Sequence, residues 1–174
     1  MSATPALLGP NVVVMGVAGC GKSSLARELA ARLGRALVEG DDFHSDASRA
    51  KMAQGVALTD ADRQPWLAAL AERLDAARRA GEPVVLTCSA LKQRYRERLR
   101  AGDPALRFCY LRITPEDALA RVSQRGSTHF FSPALVQSQF AALESPEGED
   151  GVQVLDARWP LDQACAAAAR GLLP

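Results

Sequence analysis

The sequence predicts an α/β fold, a five-stranded parallel sheet with helices on both faces, and two observations predict it. Short apolar, β-branched runs recur at Asn11 to Met15, Ala36 to Glu39, Pro83 to Cys88, Arg107 to Ile113 and Val152 to Asp156, each of the length of a buried strand. Amphipathic helical patterns lie between them, and strands that alternate with helices pair in parallel beneath helical layers.

Each helix is legible from its stripe or its start. Leu25, Leu29 and Leu33 fall at i, i+4 and i+8, Trp66, Leu67, Leu70 and Leu74 line the next long helix, and Leu161, Ala164, Cys165 and Ala168 give the last one an apolar face. Thr59 precedes Asp62 at capping-box spacing, and Thr114-Pro115 and Ser132-Pro133 each put a cap residue before a first-turn proline. The stretch Glu144 to Gly151 reads as a polar loop. With no repeat, low-complexity tract or linker in 174 residues and 18.5 kDa, one continuous domain over residues 1–174 is expected.

Composition narrows the function classes. Hydrophobic residues at 48% and charged residues at 24% predict a packed core rather than disorder. A formal net charge of +1 supplies no large field for nucleic acid or an anionic membrane, so neither is expected as a partner, and acidic ligands must be held by local charge. Cys20, Cys88, Cys109 and Cys165 stand far apart, with no C-x-x-C pair and no zinc spacing, which predicts reduced thiols. Met1 to Pro10 lacks the features of a signal peptide and no run of 18 apolar residues occurs, so the expected location is cytoplasmic.

Ligands of such a sheet sit at the carboxyl ends of its strands. Directly after the first strand comes Gly16-Val17-Ala18-Gly19-Cys20-Gly21-Lys22-Ser23, followed by Ser24, a complete G-x-x-x-x-G-K-[ST] phosphate loop. The glycines let the backbone curl so that N–H groups face phosphate oxygens, with the helix N-terminus adding a positive dipole. Lys22 supplies charge for the β- and γ-phosphates, and the Ser23 hydroxyl is a ligand for magnesium. Gly16 through Ser24 are therefore the candidate ATP site.

The second strand ends in Glu39-Gly40-Asp41-Asp42-Phe43-His44. A carboxylate facing the phosphate loop suits a base for a substrate hydroxyl; Asp41 and Asp42 are both candidates, and either is equally suited to cap the next helix. Lys51, Asp60, Asp62 and Arg63 read alone as a solvated helix face. The third strand runs into Cys88-Ser89-Ala90-Leu91-Lys92, with Tyr95, Arg96 and Arg100 beyond. Nucleotide hydrolases usually carry an acid at the end of this strand, and a serine here shifts metal duties toward Ser23, Asp41 and water. After the fourth strand come Arg121, Arg125 and Thr128 to Phe131, either surface charge or a lid whose arginines close over ATP.

Taken together these blocks resemble the gluconokinase family of P-loop kinases. The phosphate loop, GDDFH from Gly40 to His44, KM and G-x-x-L-x-D-x-D-R-x-P-W-L from Lys51 to Leu67, CSALK from Cys88 to Lys92, YRERLR from Tyr95 to Arg100, HFF at His129 to Phe131, and SQFAALESP from Ser138 to Pro146 appear in the family's order. Ser45 and Ser48 depart from it, standing where similar sequences often carry proline and asparagine. The resemblance implies a fold like that of nucleoside-monophosphate and shikimate kinases, with a substrate-binding flap around 41–67 and a lid around 121–140. It implies phosphorylation of gluconate by ATP with magnesium to give 6-phosphogluconate, and a homodimer. It makes Asp41, His44, Arg63, Ser89, Lys92 and Arg96 the substrate-side residues, and Lys22, Asp41, Arg121 and Arg125 the catalytic ones. A kinase of another small hydroxy acid such as shikimate shares the loop but not the PWL and CSALK blocks. A GTP-driven switch would need N-K-x-D and D-x-x-G elements, which are absent.

Overall fold

The computed structural model describes residues 9–125 and 132–172. Its strands β1 (Val12–Met15), β2 (Ala36–Glu39), β3 (Val84–Thr87), β4 (Arg107–Arg112) and β5 (Val152–Asp156) form one sheet in the order β2-β3-β1-β4-β5. All pairings are parallel, with Val13 opposite both Leu86 and Phe108. The fold class is as the sequence predicts. β1 lies at the centre, and all four of its residues have no accessible surface. That explains an unbroken apolar run where a half-exposed strand would alternate.

The helices are α1 (Lys22–Leu33), α2 (Asp46–Ala53), α3 (Asp60–Ala80), α4 (Gln93–Gly102), α5 (Pro115–Arg125), α6 (Ala134–Ala142) and α7 (Leu161–Gly171). Leu25 and Leu29 of α1 and Trp66, Leu67, Leu70 and Leu74 of α3 are buried as their spacing requires. The capping box forms: Thr59 Oγ1 accepts from the Asp62 amide at 3.1 Å, and Asp62 accepts from the Thr59 amide at 2.9 Å. Such a cap stabilises a helix start by about 1 kcal/mol. Thr114 likewise caps α5 through the Asp117 amide.

Two expectations need correction. Ser132 gives α6 no side-chain cap; Pro133 takes the capping position and only the Ser132 carbonyl is used, by the Leu135 amide. Leu161, placed on the apolar face of α7, is 44% exposed, while Ala164, Cys165 and Ala168 are buried. As the first residue of α7 it overhangs the cleft beside Trp159 instead of the sheet.

The amino-terminal end of the sheet is closed by one polar side chain. Asn11 donates from Nδ2 to the Leu74 carbonyl and to Asp103, and its Oδ1 accepts from the Val84 amide. Buried at 1% exposure, it has its bonding capacity met by three different elements, as a buried amide requires. The four cysteines are free and buried, and burial pushes the Cys88 and Cys109 thiols up to about 12. No helix among the described residues is long and apolar enough to cross a membrane.

Candidate active site

Between β1 and α1 the chain makes the phosphate loop. Gly16, Gly19 and Gly21 have φ of +147°, +84° and +95°, a region that side chains disfavour. At Gly19 a Cβ would also lie 2.7 Å from the Ala118 carbonyl oxygen of α5. The loop borders a cavity of about 370 Å³, lined by Gly21, Lys22, Ser23, Ser24, Asp41 and Arg125 among others. Lys22 Nζ donates to the Gly16 and Val17 carbonyls at 3.0 and 3.1 Å. A helix N-terminus and an ammonium beside one cavity form an anion site.

A second, narrower cavity of about 30 Å³ adjoins it, lined by Lys22, Asp41, His44, Arg63 and Ser89, together with Met52, Leu58, Trp66 and Gln139. Lys22 and Asp41 border both cavities. Desolvation in the cleft raises the pKa of Asp41 above the ordinary carboxylate range, outweighing the nearby Lys22 charge, although 49% of its side chain remains accessible. His44 stacks on Trp66 at 4.2 Å and 18°, and its Nε2 lies 3.8 Å from Asp41 Oδ1. Burial, then the charges of Arg49 and Arg63, lower its pKa to about 4. Imidazole is therefore neutral at pH 7, and its Nδ1 has no partner among the described residues.

The turn that presents Asp41 depends on one glycine. A Cβ on Gly40 would sit 2.0 Å from the Thr87 carbonyl oxygen, so only glycine permits β2 and β3 to end this close together. The Gly40 amide donates to Thr87 Oγ1 at 3.1 Å, and its carbonyl accepts from Trp66 Nε1 at 2.8 Å. Ser45, the departure from the usual proline, caps α2 through the Ser48 amide.

Three residues matter here that sequence reasoning gave no role. Glu39 Oε2 accepts from Ser23 Oγ at 3.2 Å and from Thr87 Oγ1 at 2.6 Å. A carboxylate from the neighbouring strand thus lies at the end of β3. Glu39 joins Asp41, which lines the same cavity as Ser23, as a carboxylate beside that hydroxyl. Hard oxygen donors at Ser23 and Glu39 suit a divalent cation that completes its shell with phosphate oxygens and water. The other overlooked residues are Trp66, which the stripe marked only as core, and Gln139, which lies inside the SQFAALESP block.

Arg96 is not a cleft residue, in contrast to expectation. It has no accessible surface, and its guanidinium donates to the Ala90, Leu91 and Glu144 carbonyls and to Glu149. It sits on the apolar face of α4 beside Tyr95 and Leu99. Lys92 is likewise engaged elsewhere: it pairs with Asp60 at 3.1 Å and does not line the narrower cavity. Hydrogen bonds from Tyr95, Arg94 and Lys92 hold Asp60 well below the usual carboxylate range. Arg63 reaches the cavity while donating to Tyr95 Oη at 3.1 Å.

The two expected lid arginines both reach the phosphate loop. Arg121 donates to the Gly19, Cys20 and Ala157 carbonyls, and Arg125 lines the 370 Å³ cavity. Both also border a third cavity of about 360 Å³ with Trp159 and Leu161. Thr128 to Phe131, including the HFF block, lie outside the described residues.

A parallel sheet carrying a G-x-x-x-x-G-K-S loop, with a small polar pocket across from it, defines a P-loop kinase of small molecules. A family model described as an AAA domain matches residues 12–146. The chain is 46% identical over 141 residues to the gluconokinase of Gluconobacter oxydans, spanning 81% of this chain and 79% of that one. It is 39% identical over 156 residues to the thermoresistant gluconokinase of Escherichia coli, spanning 89% of each. The solved structure of a gluconokinase from Sinorhizobium meliloti superimposes with a TM-score of 0.85 at 40% identity, covering 95% of this chain and 92% of that one. The chain belongs to the gluconokinase family.

Proposed function

We propose that this protein transfers the γ-phosphoryl group of ATP to the terminal hydroxyl of D-gluconate, releasing ADP and 6-phospho-D-gluconate. The observation that carries this reading is that Lys22 and Asp41 each border both the phosphate-loop cavity and the acceptor cavity. A phosphoryl group moving from one to the other passes between a cation and a base.

Asp41 orients the attacking hydroxyl and takes its proton as the new O–P bond forms and the bond from phosphorus to the β–γ bridging oxygen breaks. Its raised pKa fits that task. Lys22 stabilises the charge on the phosphoryl oxygens. Arg63 is the cation to hold the gluconate carboxylate, while Ser89 and neutral His44 bond the hydroxyl chain. Magnesium, held at Ser23 and Glu39, would neutralise the charge of the β- and γ-phosphates. The cavity between Arg121 and the exposed Trp159 and Leu161 offers a flat, partly apolar slot for the adenine ring.

In this reading residues 1–174 act as one kinase domain, with 41–67 as the acceptor flap and 121–140 as the lid. A homodimeric state, a cytoplasmic location and the absence of a nucleic-acid partner rest on the family resemblance and the composition. Light scattering tests the first.

Coupled ADP release over gluconate, other sugar acids, shikimate and free sugars tests the reaction itself. Gluconate is expected to give the highest kcat/KM by at least about tenfold, or about 1.4 kcal/mol of transition-state preference. Equal or faster turnover of shikimate or of a free sugar would overturn the assignment.

A further inference from the structure

Gln139 is a buried polar residue, 6% exposed, on α6. Its Oε1 accepts a hydrogen bond of 2.7 Å from the amide of Ala18, inside the phosphate loop. Only the oxygen of a carboxamide accepts from N–H, so this bond fixes which end is which. The Nε2 amino group, with two N–H donors, makes no hydrogen bond among the described residues. Gln139 also lines the acceptor cavity with Lys22, Asp41 and Ser89. One side chain thus joins the two cavities that the phosphoryl group must cross.

Gln139 lies at the carboxyl end of the span proposed as the lid, and that end is anchored. The carboxyl end of α6 is tied to the segment that carries Ser89: the Glu144 amide donates to the Leu91 carbonyl at 2.8 Å, the Gln93 amide to Glu144 Oε2 at 2.7 Å, and Arg96 to the Glu144 carbonyl at 3.1 Å. Gln139 is therefore held from one side by the phosphate loop and from the other by the acceptor-binding segment. A donor pre-positioned in this way, without reorganisation during the reaction, is what stabilises charge as it develops.

We propose that Gln139 is a further catalytic residue: its Oε1 is anchored by the Ala18 amide, and its Nε2 donates to the phosphoryl group as it passes from nucleotide to acceptor. This rests on gluconate phosphorylation by the chain. Wild-type turnover measured first in the same assay separates a failure of that reading from a failure of this one.

Gln139→Glu distinguishes a donor from a prop. Glutamate keeps the shape and an oxygen for the Ala18 amide but replaces the two donors with an anion facing an anionic phosphoryl group. The expected result is an unchanged melting temperature, a loss of about a hundredfold or more in kcat, and a variant-to-wild-type kcat ratio that rises as pH falls and the carboxyl gains a proton. A kcat within threefold of wild type would overturn the proposal. Should Gln139→Glu fail to fold, Gln139→Met carries the test through binding. Its affinity for ADP with aluminium fluoride and gluconate, a transition-state analogue, is expected to fall by the same factor as kcat, with ADP affinity alone unchanged. Equal losses for ADP and the analogue would show a prop for the loop. Tighter ADP binding would show that Oε1 merely fills a phosphate position. Either outcome overturns the proposal.

Discussion

Arg96 holds Ala90 in a left-handed backbone conformation. Its Nη1 donates to the Ala90 carbonyl at 2.8 Å, and Ala90, at φ +46°, is the one non-glycine residue with positive φ among the described residues. That conformation costs about 1 kcal/mol, offset by a guanidinium whose remaining donors reach Leu91, Glu144 and Glu149. The adjoining Ser89 is thereby turned into the acceptor cavity. Arg96→Lys keeps the charge but not the planar fork. It is expected to lose about 1–3 kcal/mol of stability, because the Ala90, Leu91 and Glu144 carbonyls lose buried donors, and to raise the KM for gluconate. An unchanged urea midpoint would show that charge alone suffices.

His44 makes stability depend on pH. An unfolded histidine gains a proton below about 6.5, whereas folded His44 stays neutral down to about 4. Between those values the unfolded state binds more protons, so stability rises with pH across the window and is lost as pH falls through it. The full effect is on the order of 3 kcal/mol. His44→Gln removes the titration. Urea denaturation at pH 7 and pH 5 is expected to show a larger fall for wild type than for the variant; equal falls would place the pH dependence elsewhere.

Glu39 shares its Oε2 between Ser23 and Thr87. In the proposed role Glu39 holds the cation with Ser23, and Glu39→Gln would weaken that hold without changing the side chain's size. The magnesium concentration for half-maximal activity is expected to rise by about tenfold, a loss of about 1.4 kcal/mol, with little change in the KM for gluconate. A magnesium titration identical to wild type would remove Glu39 from the metal site.

Asp41→Asn keeps the shape but cannot accept the proton. It is expected to fold normally, bind ATP, and lose about a hundredfold or more in kcat. Because desolvation raises the Asp41 pKa, the acid limb of wild-type kcat/KM is expected above the ordinary aspartate value of about 4, and to vanish in the variant. Asparagine caps a helix about as well as aspartate. Near-normal turnover would therefore mark Asp41 as a structural cap and move the base to Asp42.

The strands and most helix starts were legible because burial on both faces and local capping are written in consecutive residues: the expected run Asn11 to Met15 differs from β1 by one residue. Phosphate-loop residues were legible for the same reason. Arg96 was misread because motif membership says nothing of which way a side chain faces. Its place on α4, between Tyr95 and Leu99, carried the signal, since those neighbours mark the buried face. Glu39 and Gln139 escaped because their partners are distant in sequence. Glu39 meets Thr87 across two strand ends, and Gln139 meets Ala18 from α6, contacts that only the sheet order and helix packing create.

The Gly40 peptide unit, fastened by its amide to Thr87 and by its carbonyl to Trp66, works as a clasp. The chain leaves the sheet at Gly40, and the bond to Trp66 of α3 fastens the start of residues 41–65 to their end. A segment tied off in this way is expected to open as a unit, its amides, those of α2 above all, exchanging hydrogen faster than those of β1 and β3. Opening it would release the partly exposed Lys51–Asp62 pair, contributing about 1 kcal/mol or less, and would also uncover Met52 and Leu58, which are buried together with Leu135. With the clasp shut, Asp41 at the start of the segment would keep its place beside the phosphate loop.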